Sequence, residues 1–247
     1  MIYDSICVML PTYGRSNSLL PRFVSSCTAT ASDLKNLKFA FCVNQGDHDT
    51  YRYLKSLPWP NRDNVLIVQE FTKEPNLAVY FNILYNETKK FGENCLVSML
   101  GDDMEFMTPN WDRDIISLVN QYKGIGVFWC NDAYIAKERM CVNMFVSRMF
   151  ADATEYPFMA EIFKGDMIDY IWRKVAKYTK TAHYLPNVVI KHNHNTSKPQ
   201  NQWDSTFNRL RPAQAQGHQI GKEKAREIAH AMADALIRKG LVGDAID

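Results

Sequence analysis

The sequence predicts an α/β fold: a mixed, mostly parallel sheet flanked by helices, with a C-terminal helical extension. Three observations predict it. Short apolar runs alternate with segments of helical periodicity from residue 5 to residue 129, the pattern of a sheet covered by helices. Most runs end in Pro, Gly, Asn or Asp, residues that stop strands or begin turns. The chain has 247 residues, 46% hydrophobic and 23% charged, which suits one α/β domain, or one with an appendage, around a sizeable core.

Residues 5–10 read as the first strand, stopped by Pro11. Residues 19–29 form a helix, with Ser18 as cap and Pro21 tolerated in the first turn. A second strand covers 37–43. A helix over 49–57 ends before Pro58. A third strand covers 65–68. The helix over 76–91 places Leu77, Tyr80, Phe81 and Leu84 on one face. Residues 96–100 form the fourth strand, 111–122 a helix and 125–129 another strand. Residues 142–150 are β-rich, 166–178 helical and 183–190 a late strand. The polar stretch 193–212 reads as a mobile loop. A helix follows from 217, where Ile228, Met232, Ala235 and Leu236 make one apolar face. No internal repeat or low-complexity block interrupts this order.

Net charge is +2, too small for a histone-like binder whose affinity rests on bulk charge, although a local basic patch is compatible with it. The N-terminus carries no signal-peptide pattern, and no run of roughly 18 apolar residues suggests a membrane span. Six scattered cysteines without a Cys-x-x-Cys pair fit small hydrophobes in a reducing cytosol rather than disulfides or zinc. A cytoplasmic location is expected.

Gly101-Asp102-Asp103-Met104 follows the fourth apolar run. It places two carboxylates at a sheet edge, where α/β folds hold their ligands. Adjacent buried like charges need a cation or protons to neutralise them. Hard divalent ions take oxygen ligands and bind phosphates at the same time. A metal-assisted phosphate-ester site is one reading; a solvated turn is the other, since turns favour Asp.

Five motifs in order carry a resemblance. Leu10-Pro11-Thr12-Tyr13-Gly14-Arg15 resembles the P-T-Y/F-x-R opening of family 2 glycosyltransferases of GT-A fold. Val43-Asn44-Gln45-Gly46-Asp47-His48-Asp49 stands where that family has V-D-D-G-S-x-D, Asn82 where it has the Asn of A-R-N, and Gly101-Asp102-Asp103 where it has D-x-D. Residues 163–173, Phe163 through Asp166, Met167 and Asp169 to Arg173, resemble F-G-x-E-D-x-D-L-x-x-R. His192 and His194 fall where many GT-A enzymes carry a metal-binding His. The match spans about residues 5 to 195, and the chain divides into a GT-A domain over 1–197 and the loop plus amphipathic helix over 198–247.

The resemblance implies a metal-dependent, inverting glycosyltransferase using a nucleotide sugar, UDP-linked by choice. Pro11, Thr12, Tyr13 and Arg15 would form the loop under the nucleotide, with Asn44, Asn82 and Asp102 as further donor contacts. Asp103 and His192 would hold Mn²⁺ or Mg²⁺. Asp166 would be the general base, with Asp169 as the other candidate. Two departures bear on these roles. Met167 replaces one carboxylate of the family's acidic pair, so Asp166 or Asp169 must substitute. Asn44-Gln45 replaces Asp-Asp, and Asn both donates and accepts hydrogen bonds, which opens the site to other nucleotides.

Trp111, Trp129 and Trp172 are candidate acceptor platforms whose spacing fits core packing equally well; Trp203 is a candidate lid residue. The acceptor can be a glycan, a protein or modified DNA. The style of the chain resembles phage-encoded transferases, some of which glycosylate modified bases in DNA. Lys222, Lys224, Arg226, Arg238 and Lys239, with Lys198, Arg209 and Arg211 before them, could follow a phosphate backbone or be a solvated face. A nucleotidyltransferase and a non-catalytic nucleotide-sugar-binding protein are the competing readings. Oligomeric state is not legible.

Overall fold

The structure is a computed structural model that describes residues 1–70, 76–134, 136–164, 167–193 and 205–243, the side chains of 205–207, 209–214 and 216–218 excepted. Asp166, His194 and Trp203 lie outside the described residues.

The strands are β1 (Ser5–Thr12), β2 (Leu37–Asn44), β3 (Val65–Glu70), β4 (Cys95–Met99), β5 (Met104–Phe106), β6 (Val127–Asn131), β7 (Met144–Val146) and β8 (Ala182–His192). The helices are α1 (Leu19–Thr30), α2 (His48–Ser56), α3 (Leu77–Glu87), α4 (Trp111–Gln121), α5 (Arg148–Ala153), α6 (Ile168–Tyr178) and α7 (Ser205–Arg238). The sheet order is β3-β2-β1-β4-β7-β6-β8-β5. Pairings β3–β2, β2–β1, β1–β4 and β6–β8 are parallel, whereas β7 runs against β4 and β6, and β5 against β8. The mixed, mostly parallel sheet is as expected.

Period-two alternation in β1 divides the core. Cys7 and Met9 face the cluster that holds Phe81, Leu84, Trp172, Ile228 and Met232. Ile6, Val8 and Leu10 face Leu20, Phe23, Trp111 and Ile115 on the other side. Helices α3, α5, α6 and α7 therefore cover one face, and α1, α2 and α4 the other. All six cysteines are buried and free. Trp111, Trp129 and Trp172 are each at most 2% exposed. They are core residues, not acceptor platforms: their large apolar rings fill the layer between sheet and helices.

Several elements differ from expectation. Pro11 does not stop β1, which continues to Thr12 and pairs Pro11 with Cys42. Strand β4 meets β1 only at Ser5, Ile6 and Cys7, so one side of Pro11 has no strand neighbour and its missing N–H is tolerated. Strand β5 was hidden because it is three residues long and starts directly after the Asp-Asp turn. The expected β-rich segment over 142–150 is β7 followed by α5. Ser147 ends the strand and caps the helix, its Oγ accepting from Phe150 N at 3.1 Å. Ser18 makes no side-chain cap on α1. Helix α7 begins at Ser205, inside the stretch read as loop, because Gln, Arg and Ala there favour helix. Its break falls at Gly221 (φ 88°, ψ 159°), a conformation open to glycine. Its apolar face, including Ile228, Met232 and Leu236, is buried with α6 in this chain's own core. Among the described residues no helix is long and apolar enough to cross a membrane.

Candidate functional site

The C-terminal ends of the parallel strands meet at one edge of the sheet. Strand β1 ends at Thr12, β2 at Asn44, β6 at Asn131 and β8 at His192, and the Asp102-Asp103 turn follows β4. This is the edge where an open α/β sheet forms its crevice.

The two aspartates turn opposite ways. Asp102 is buried. Its Oδ2 accepts from Thr12 Oγ1 at 2.6 Å, and its Oδ1 accepts from Arg15 Nη1 in a buried ion pair. Burial pushes the Asp102 carboxyl up to about 6; Arg15 opposes the rise, Asp103 adds to it, and the Thr12 hydrogen bond opposes it again. Asp102 thus fixes the loop after β1 from beneath. Arg15, expected under a diphosphate, is only 7% exposed and held by this carboxylate. Tyr13, on the same loop, is exposed.

Asp103 faces β8. Its Oδ2 lies 3.4 Å from His192 Nε2, with 12% and 16% of the two side chains exposed. Burial favours neutral imidazole, but the hydrogen bond and charge of Asp103, with the charges of Asp132 and Asp169, outweigh it and raise the His192 pKa. The backbone fixes this pair. Met104 and His192 are ladder partners, Asn193 N donates to Asp103 O at 2.9 Å, and His192 N donates to Asp132 O at 2.9 Å. A carboxylate oxygen and an imidazole nitrogen this close suit adjacent positions on one cation, since ligand distances of about 2.1 Å at a right angle separate the donors by about 3 Å. Among the described residues no group of three or more His, Cys, Asp or Glu forms a ready metal cage. A pair is the donor set expected where substrate phosphates and water complete the shell. Gly101 makes room for it: a Cβ there would stand 2.5 Å from Asp103 Oδ1.

Asn44 closes β2, and its Oδ1 accepts from Gly46 N at 3.2 Å. Asp47 makes a link at this edge that sequence reasoning missed. Its Oδ2 accepts from Gly14 N at 2.6 Å and its Oδ1 from Thr50 N at 3.1 Å, joining the β1 loop to the start of α2. The signal was present, since Asp before His48 is a good N-cap. Asn82 sits on α3 and is 9% exposed. Its amide brackets Met159, donating to the carbonyl at 3.0 Å and accepting from N at 2.8 Å, and also donates to Glu161 Oε1 at 2.8 Å.

Asp169, in the first turn of α6, is half-buried and close enough for His192 to feel its charge. Its Oδ1 accepts from Tyr170 N at 2.9 Å, and its carbonyl accepts from the Cys141 thiol at 3.1 Å. Met167 is buried in a left-handed conformation (φ 62°) at the helix start and packs into the core. Four cations of the C-terminal basic stretch have partners among the described residues. Arg238 and Lys239 pair with Glu155, Lys224 with Glu227, and Arg226 Nε donates to Tyr170 Oη.

No protein-family model and no curated protein matches the sequence. Solved structures do match in shape. The mannosyltransferase PcManGT from Pyrobaculum calidifontis, in complex with GDP-Man and Mn²⁺, is similar with a TM-score of 0.57 and 12% identity, over 98% of this chain and 76% of that one. S. aureus TarS 1-349 in complex with UDP-GlcNAc gives a TM-score of 0.58 at 11% identity, over 95% of this chain and 72% of that one. A further S. aureus TarS structure gives 0.55 at 11% identity, over 75% of this chain, which spans only 36% of that longer one. The chain has the GT-A fold of these glycosyltransferases.

Proposed function

We propose that the protein is a glycosyltransferase that moves a sugar from a nucleotide-sugar donor, UDP-linked, to an acceptor hydroxyl, with Mn²⁺ or Mg²⁺ as cofactor and inversion at the sugar. One observation carries the reading: Asp102 and Asp103, adjacent in sequence, divide between anchoring the Arg15 loop and meeting His192 at the same sheet edge. Solved structures of this fold with GDP-Man and Mn²⁺ or with UDP-GlcNAc support the donor class.

In this reading the loop from Pro11 to Arg15 lies under the nucleotide. Asp102 keeps Arg15 and the loop in place, so the loop amides face the diphosphate without reorganising on binding. Asn44 borders the base, and exposed Tyr13 borders the nucleoside. Asp103 and His192 hold the cation, which supplies Lewis-acid stabilisation of the departing nucleoside diphosphate. Asp166 and Asp169 are the candidate bases for the acceptor hydroxyl. Met167, apolar and buried, takes no proton. Asn82 acts at one remove, by holding the 159–161 segment that leads to these carboxylates.

The test is turnover. The protein is incubated with Mn²⁺ and a panel of nucleotide sugars, and released nucleoside diphosphate is measured. Slow hydrolysis of one donor, abolished by EDTA, is expected. Hydrolysis of none, together with no thermal stabilisation by any donor, would favour a nucleotidyltransferase or a non-catalytic binding protein.

A further inference from the structure

Arg173 closes the fifth motif, yet the proposed chemistry gives it no role. It stands on α6 four residues after Asp169. That spacing puts both side chains on one helix face, about 6 Å apart along the axis. The charges of both reach the buried Cys141 thiol. The Arg173 guanidinium lies over the Trp129 ring, its carbon 5.1 Å from the ring centroid. Trp129 is itself fixed: it is 2% exposed, and its Nε1 donates to Lys137 O at 3.1 Å. The Arg173 Nε is buried and unpartnered. The residue as a whole is half-buried, and no hydrogen bond or ion pair reaches its two Nη groups among the described residues. Arg15, Arg148 and Arg226, by contrast, each close on an oxygen of this chain.

A guanidinium stacked on a rigid indole has lost its conformational freedom before any ligand arrives, and its outer edge offers parallel N–H donors matched to two oxygens of one anion. We infer that Arg173 is the recognition point for an anionic group, a phosphate ester or a carboxylate, on the acceptor. The inference rests on the glycosyltransferase reading for the word acceptor, and on the geometry alone for the anion. One helical turn from Asp169 places that group a few bonds from the hydroxyl that is attacked. The site then selects acceptors that carry a negative charge close to the reacting hydroxyl.

The experiment is a titration of the ¹⁵N-labelled protein followed by NMR. The Arg173 Nε–H signal, assigned by its absence in R173K, and the Trp129 Nε1–H signal are the readouts. The probes are dimethyl phosphate, acetate and, as a neutral control, glycerol. UDP-GlcNAc with Mn²⁺ is tested in parallel by thermal shift. A saturable shift with one or both anions is expected, with none from glycerol and with binding at least tenfold weaker in R173K; the anion that binds tells phosphate ester from carboxylate. No shift with either anion, or equal binding in R173K, overturns the site. Displacement of the anion by UDP would assign Arg173 to the donor and overturn the acceptor claim. Anion binding without any donor response would support the anion site while overturning its place in glycosyl transfer.

Discussion

Thr12 Oγ1 donates to Asp102 Oδ2 at 2.6 Å, tying the last residue of β1 to the turn after β4. The same carboxylate compensates buried Arg15. Losing the carboxylate and losing the hydroxyl should differ in cost. Asp102→Ala breaks a buried ion pair by removing one member, which costs roughly 3–5 kcal/mol. Thr12→Val removes one hydrogen bond and costs about 1–2 kcal/mol. Urea unfolding of both variants checks the order. Equal costs would mean that the Arg15 charge stays compensated without Asp102.

Gly101→Ala separates metal binding from folding. The added Cβ would meet Asp103 Oδ1 at 2.5 Å, so the carboxylate that meets His192 must shift. Disturbing the groups that orient a metal ligand typically lowers affinity 10–100-fold. We expect Mn²⁺ binding in the presence of UDP, followed by electron paramagnetic resonance, to weaken by about tenfold or more on that basis, while the melting temperature changes little. Unaltered Mn²⁺ affinity would show that Asp103 does not ligate the ion.

Asp47→Ala removes two hydrogen bonds at once, from Gly14 N and Thr50 N. Loss of an N-cap costs about 1 kcal/mol, and loss of the Gly14 contact loosens the loop that carries Arg15. The expected signature is a raised KM for the donor with a smaller effect on kcat. Retention of donor affinity would place the nucleotide away from this loop.

His183 gives the fold a pH dependence of its own, far from the acidic pair in sequence. Its ring lies 3.8 Å from that of Tyr122 and 4.7 Å from that of Phe128. Burial lowers its pKa below the ordinary 6.5, partly offset by a backbone hydrogen bond. The unfolded chain therefore takes up this proton more readily. The stabilisation is complete above pH 6.5 and is lost as the pH falls through the folded-state pKa. Stability of the wild type should drop more steeply from pH 7.5 to 5 than that of His183→Gln. Parallel profiles would remove His183 as the cause.

Much of this architecture was legible because apolar periodicity and turn residues agree with the tertiary packing. The strand cores of β1, β2, β3 and β4 and the helices over Asn76 and Trp111 all follow from that agreement. What failed was local competition. Ser147 ends a strand and starts a helix within one residue, and periodicity does not register so sharp a change. Pro11 reads as a stop until the sheet leaves one of its sides without a neighbour. At the site, the adjacency of Asp102 and Asp103 was legible, but not that the chain turns one inward and the other toward β8. That division depends on Arg15 and His192, which are distant in sequence. Asn82 stands in a motif position, and its hydrogen bonds to Met159 N and O join segments too distant in sequence for periodicity to pair.

The most direct measurement is calorimetric titration of UDP-GlcNAc and its nucleotide-sugar relatives into the protein with and without Mn²⁺, repeated with Asp103→Ala and His192→Ala. Binding of a donor that requires Mn²⁺ in the wild type and is lost in both variants is the predicted result. Donor binding that survives EDTA and both substitutions would contradict the assignment of Asp103 and His192 as the residues that hold the cation against the diphosphate.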